Sequence, residues 1–202
     1  VAAHPTPRPR VRRAPPSGLV VAAAPSHRGP VWELWPARLG DRHVVVKRAR
    51  RPTDATVALL RAEASVLASL PAARTVRLHS LVAPRRSHHH GLLVDAVPGG
   101  CLRGRLPVGG LHPRAATGVL VDLARALAAV HAAGWVHGRI DLDHVLVGGD
   151  RRVVLGGFGR ARGDLGGRAG ATARSEDVAQ LAVLARTLLP SLTGASPAPP
   201  PG

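Results

Sequence analysis

Tyrosine and methionine are absent from this 202-residue chain, which also has one phenylalanine, one cysteine and one lysine. Each scarcity excludes something. A lone Cys101 rules out an intramolecular disulfide and a cysteine-rich zinc centre, which agrees with a reducing compartment and leaves the thiol as a small core or loop group. With aromatics at 2% there are too few rings to stack on single-stranded bases, and no helix-turn-helix or zinc-finger spacing is found. No apolar run approaches the roughly 18 residues of a spanning helix, because the best stretches are broken by Asp122, Asp141 or Asp150. The basic, Pro-rich start followed by GLVVAAAP only faintly mimics a signal peptide. The expectation is a cytoplasmic protein with no membrane attachment.

Arginine is what the chain has in abundance: 27 of its 28 basic residues, against 12 acidic ones, for a net charge of +16. Together with the abundance of Ala, Gly and Pro, this reads as codon composition as much as a sign of a polyanionic partner, so only non-specific contact with nucleic acid is expected. At 45% apolar the length supports one good core, and no repeat argues for two independent ones.

Residues 1–18, rich in Pro and Arg, and the Pro-rich tail 191–202 read as disordered, with a single domain over 19–190 between them. LVVAAAP and PVWELWPAR predict two antiparallel strands, on which Trp32 and Trp35 face opposite sides, one in the core and one on the surface. In HVVVKRA the period of two puts Val45 and Lys47 on one face and Val44 and Val46 on the other. A helix over Ala55–Leu70, capped by Thr53 or Asp54, carries an apolar stripe of Val57, Leu60, Leu67 and Leu70. Glu63 sits on that stripe and calls for a cationic partner. Two strands follow around a turn holding His88, His89 and His90, consecutive residues that cannot easily converge on one ion. A long helix then spans Pro113–Ala133, with Leu120, Leu123, Leu127 and Val130 on one face and Gly134 as its stop. RARGDLGGRAGATARSE reads as a short flexible segment, and a last helix opens at Asp177 with DVAQLAVLARTLL.

The stretch Gly134–Gly159, GWVHGRIDLDHVLVGGDRRVVLGGFG, is similar in layout to the catalytic loop and metal-binding turn of the protein kinase superfamily. HGRIDLDHVLV stands for HRDxxxxN and GFG for DFG. VVVK resembles the VAIK strand, the 55–70 segment resembles the αC helix, and GLLVDAVPGGCL resembles the hinge. HG also occurs in the HGDxxxxN loop of aminoglycoside-type phosphotransferases, but the hinge and the GFG turn favour the protein kinase branch. The likeness covers about 19–190 and implies an α+β, two-lobed fold: a small antiparallel β N-lobe (about 19–97) with one αC-like helix, and a shortened helical C-lobe (about 98–190) lacking an APE segment and later helices.

By the same likeness Lys47 pairs with Glu63, Val45 roofs the adenine and Val94 is the gatekeeper. The backbone of Asp95 and Val97 meets the adenine edge, and Leu146 is the floor. Leu67, His137, Phe158 and Asp177 correspond to the stacked residues that link the lobes. The catalytic residues differ. Arg139 stands for the catalytic Asp, His144 for the metal-binding Asn and Gly157 for the metal-binding Asp, while the phosphate loop keeps only Gly29, beside Pro30. The expectation is a pseudokinase that binds ATP weakly, without magnesium, and regulates or scaffolds a protein partner. Two alternatives stand beside it: an active atypical serine/threonine kinase using Asp141 or Asp143, and a basic module for nucleic acid or an acidic partner. For those two aspartates the simpler reading is loop capping and pairing with Arg139, Arg151 and Arg152.

Overall fold

The computed structural model describes residues 11–12, 14–82, 91–107, 109–150, 152–163 and 166–189. The expectations for residues 1–10, for His88 to His90, for Arg151 and for the tail 191–202 lie outside these. The chain divides between Ala96 and Val97 into two compact units.

In the first unit β1 (Val11–Arg12), β2 (Leu19–Val21), β3 (His27–Arg28), β4 (Trp32–Leu39), β5 (Arg42–Ala49), β6 (Leu78–Val82) and β7 (Gly91–Asp95) form one sheet in the order β1-β6-β7-β5-β4-β2, with β3 also on β4. All pairs are antiparallel except β1 with β6, where Val11 lies opposite Leu81. Val11 and Arg12, within the segment expected as an arm over 1–18, thus join the sheet edge. Alternation on β5 is as expected: Val44 and Val46 are buried with Ala37 and Leu93, and Trp35 and Leu39 pack against them. Trp32 and Trp35 do face opposite sides: Trp35 packs against the core with Arg48 over its ring, as expected of the core tryptophan, whereas Trp32, expected at the surface, is half-buried under Lys47.

Helix α1 (Asp54–Ser69) packs on β6 and β7. Thr53 is its N-cap in a reciprocal capping box with Thr56, and Leu60, Glu63, Ala64, Val66 and Leu67 are buried.

The second unit holds α2 (Pro113–Ala132), β8 (Trp135–Val136), β9 (Val145–Val147), β10 (Val153–Leu155), β11 (Arg162–Gly163) and α3 (Gly167–Leu188), with 3-10 turns at Leu102–Arg105 and Phe158–Arg160. β9 pairs with β10, and β8 with β11. Proline at N1 and Gly134 at φ 79° bound α2, whose Ala116, Leu123, Ala126, Leu127 and Val130 are buried. At 20 residues α2 is long and apolar enough to cross a membrane by length and composition alone, contrary to the expectation that no segment would be. Its stripe of Ala116, Leu123, Ala126, Leu127 and Val130 is packed in the core, while Val121 on the other side is 40% exposed.

α3 corrects a boundary. The helix begins at Gly167, so residues 167–176 of the segment expected to be flexible are its first turns and Asp177 lies mid-helix. Ala169, Ala171 and Ala173 are strong helix formers, but this part buries only Gly170 before Asp177 and so lacks the apolar stripe by which a helix is recognised.

Candidate functional site

Lys47 projects from β5 on the face opposite Val44 and Val46, and α1 turns Glu63 toward it. Nζ lies 2.6 Å from Glu63 Oε2, and the two side chains are only 14% and 5% exposed. The Trp32 ring sits 4.9 Å from the same Nζ, so the ammonium has a carboxylate on one side and a π face on another. Val45 is in register with Val94 of β7. Asp95 donates its N–H to the Arg77 carbonyl, and its carboxylate accepts from His79 Nε2 at 2.5 Å. The loop that should cradle phosphates turns its amides inward: Ala22, Ser26 and Gly29 donate to the carbonyls of Pro36, Leu34 and Trp32. None of those three N–H groups is aimed at an anion.

In the second unit the Val97 carbonyl accepts from Gly100, and Leu146 lies between Cys101 and Val154. His137 is fully buried: its Nε2 donates to the Gly156 carbonyl, and its Nδ1 accepts the Arg139 N–H. Burial holds its pKa down at about 4, with the nearby His144 adding to the depression, so the ring is neutral. Its face meets the buried Phe158 edge-on, with centroids 4.6 Å apart. The equally buried Asp177 carboxylate accepts three hydrogen bonds, from the N–H groups of His137 (2.9 Å) and Gly138 (2.8 Å) and from His131 Nε2 (2.9 Å). One turn further along α3, Gln180 Oε1 accepts from the Ile140 N–H at 2.6 Å. Together these two α3 side chains fix the main chain of residues 137–140.

Asp141 is fully engaged. Its Oδ2 accepts from Arg139 Nε at 2.9 Å, Oδ1 pairs with His144 Nδ1 at 2.7 Å, and Oδ1 also caps the N–H groups of Asp143 and His144. Partial burial works to raise this carboxyl, but His144 and Arg139 outweigh it and hold it below the ordinary aspartate value. Asp143 pairs instead with Arg103 Nε at 2.6 Å and is exposed. Of the cationic partners expected for these residues, Arg139 is observed, Arg152 pairs with Asp150, and Arg103 was not anticipated.

The structure therefore brings Lys47 and Glu63 together, places Val45 beside Val94, and surrounds His137 with Phe158 and Asp177. Sequence reasoning missed His131 and Gln180. Gln180 had a signal, since it lies three residues after Asp177 on the same face of one helix; His131 had none, because its partner is 46 residues away. A family model described as protein tyrosine and serine/threonine kinase matches residues 27–177, about three quarters of the chain.

Proposed function

Because the chain belongs to the protein tyrosine and serine/threonine kinase family, we propose that it is a catalytically impaired member that takes up ATP without a divalent metal and acts as a binding or regulatory module for a protein partner. The observation that carries this reading is the contrast between an intact Lys47–Glu63 pair at 2.6 Å and the absence of any carboxylate at positions 139, 144 and 157. Phosphoryl transfer depends on positioning and on neutralising charge, with a base or orienting residue on the nucleophile and metal ions on the phosphates. Lys47 supplies one positive charge for a phosphate, held in place by Glu63. Arg139 cannot accept a proton, and the loop carboxylate nearest to hand, Asp141, is lowered in pKa and occupied on both oxygens.

The residues present do not fit a magnesium ion. Magnesium wants oxygen ligands in near-octahedral array, and the three positions offer a guanidinium, an imidazole and no side chain at all. The alternative of an active atypical kinase needs Asp141 or Asp143 to be free for the substrate, and each is held by arginine.

Thermal-shift titration with ATP tests the proposal. Wild type is expected to gain several degrees at saturating ATP, equally with magnesium or with a chelator. Lys47→Met should lose the gain. A magnesium-dependent shift accompanied by phosphate transfer to any protein would overturn the reading.

A further inference from the structure

Gly157 has φ 77° and ψ 45°, in the left-handed region. A Cβ added there would lie 1.8 Å from His144 Cδ2, 2.6 Å from Nε2 and 2.7 Å from Cγ, colliding with the Cδ2 edge of the ring. The ring is not a loose end that can swing away. Its Nδ1 lies 2.7 Å from Asp141 Oδ1 in an ion-pair contact, and the other oxygen of Asp141 is fixed by Arg139. The main chain on both sides is tied as well: the His144 N–H donates to the Asp141 carbonyl, and the His144 carbonyl accepts from Gly156 at 2.9 Å. The buried His137 stands 6.3 Å away, centroid to centroid.

We infer that His144 fills the metal position as well as failing to ligate in it: the imidazole occupies the volume that a side chain at 157 requires, so positions 144 and 157 are one coupled unit closed to a divalent cation. In kinases the two corresponding residues are the pair that holds magnesium, so neither one can be restored without the other. The Arg139–Asp141–His144 chain is the latch that keeps the ring there. This deepens the metal-free reading and rests on it for its meaning, while its geometry stands apart and is tested apart.

A double-mutant cycle isolates the coupling, because any residue with a Cβ at φ 77° carries its own backbone strain whatever His144 does. Melting temperatures are compared for wild type, Gly157→Ala, His144→Ala and the double variant. Gly157→Ala is expected to lower Tm by about 6 °C or more in wild type but by only about 2 °C in the His144→Ala background. If Gly157→Ala fails to fold while the double variant folds, the rescue makes the same point. Equal losses in both backgrounds would overturn the coupling.

The cation arm uses ATP with and without magnesium on Gly157→Asp and on His144→Asn/Gly157→Asp. The double variant is expected to show a magnesium-dependent shift and Gly157→Asp none. A magnesium response in Gly157→Asp alone, or none in the double variant, would overturn the claim that the ring closes the site. A magnesium response in wild type would instead remove the metal-free reading and leave the cycle to judge the steric pair.

Discussion

The burial of His137 has a consequence in solution. Unfolded, its imidazole takes up a proton near pH 6.5; folded, it does so only near pH 4. Between these values the unfolded chain binds more protons, so stability is full above about pH 6.5 and is lost progressively as pH falls toward 4. The size of that loss is about 3 kcal/mol. Asp141 acts in the same sense at lower pH, its contribution being present above the ordinary aspartate range and lost as pH falls through its lowered value. Urea midpoints at pH 7.5, 5.5 and 4.5 check this, and His137→Gln should flatten the slope above pH 4.5. An unchanged slope in that variant would assign the acid sensitivity to other groups. In the sequence His137 was legible through the family likeness, as one of a set with Phe158 and Asp177, but its burial was not, because its partners lie as far as forty residues on. That Glu63 needs a cation was legible for a physical reason, an acidic residue on an apolar helix stripe, while the choice of Lys47 as its partner came from the family likeness.

Among the elements, those with a strong apolar period were readable and those held by backbone contact were not. α1 and α2 announced themselves by stripe, cap and stop. The first half of α3 has no stripe and was taken for a loop. The contact between the 97–101 segment and β9 is likewise invisible in sequence, because it is made by main-chain groups: Gly99 N–H donates to Val147 O at 2.8 Å, and Val147 N–H to Gly100 O at 2.9 Å. Neighbouring glycines there have different reasons to be glycine. A Cβ at Gly99 would lie 2.2 Å from the Val147 carbonyl oxygen, whereas Gly100, at φ 67°, has no atom within 4 Å of an added Cβ. Gly100→Ala should therefore cost only backbone strain, about 1 kcal/mol. Gly99→Ala must move β9 or break the ladder and should cost more, about 2–3 kcal/mol. Urea denaturation of the two variants side by side tests the ranking, and equal losses would show that the segment yields without disturbing β9.

At the scale of the whole chain, order and spacing carried the family: strand lysine, helix glutamate, hinge, loop and turn occur in sequence within residues 27–177, although no single motif is complete. Charge is the other global property, and it is independent of any motif. With 28 basic residues and 12 acidic ones, at least sixteen cations have no anion to match, whatever the geometry. Several of the ion pairs that do form are exposed, such as Arg103 with Asp143 and Arg162 with Glu176, and solvent and salt screening leave pairs of that kind little net stabilisation. Self-repulsion among the surplus arginines acts at longer range, and the Debye length shrinks from about 30 Å at 0.01 M salt to about 8 Å at 0.15 M. Raising ionic strength therefore removes more repulsion than attraction. Melting temperature should climb by a few degrees between 0.01 M and 0.15 M sodium chloride, and further with sulfate, an ion excluded from protein surfaces. A melting temperature that falls over the same range would mean that the screened ion pairs outweigh the repulsion, and that the arginines are placed by contact rather than accumulated by composition.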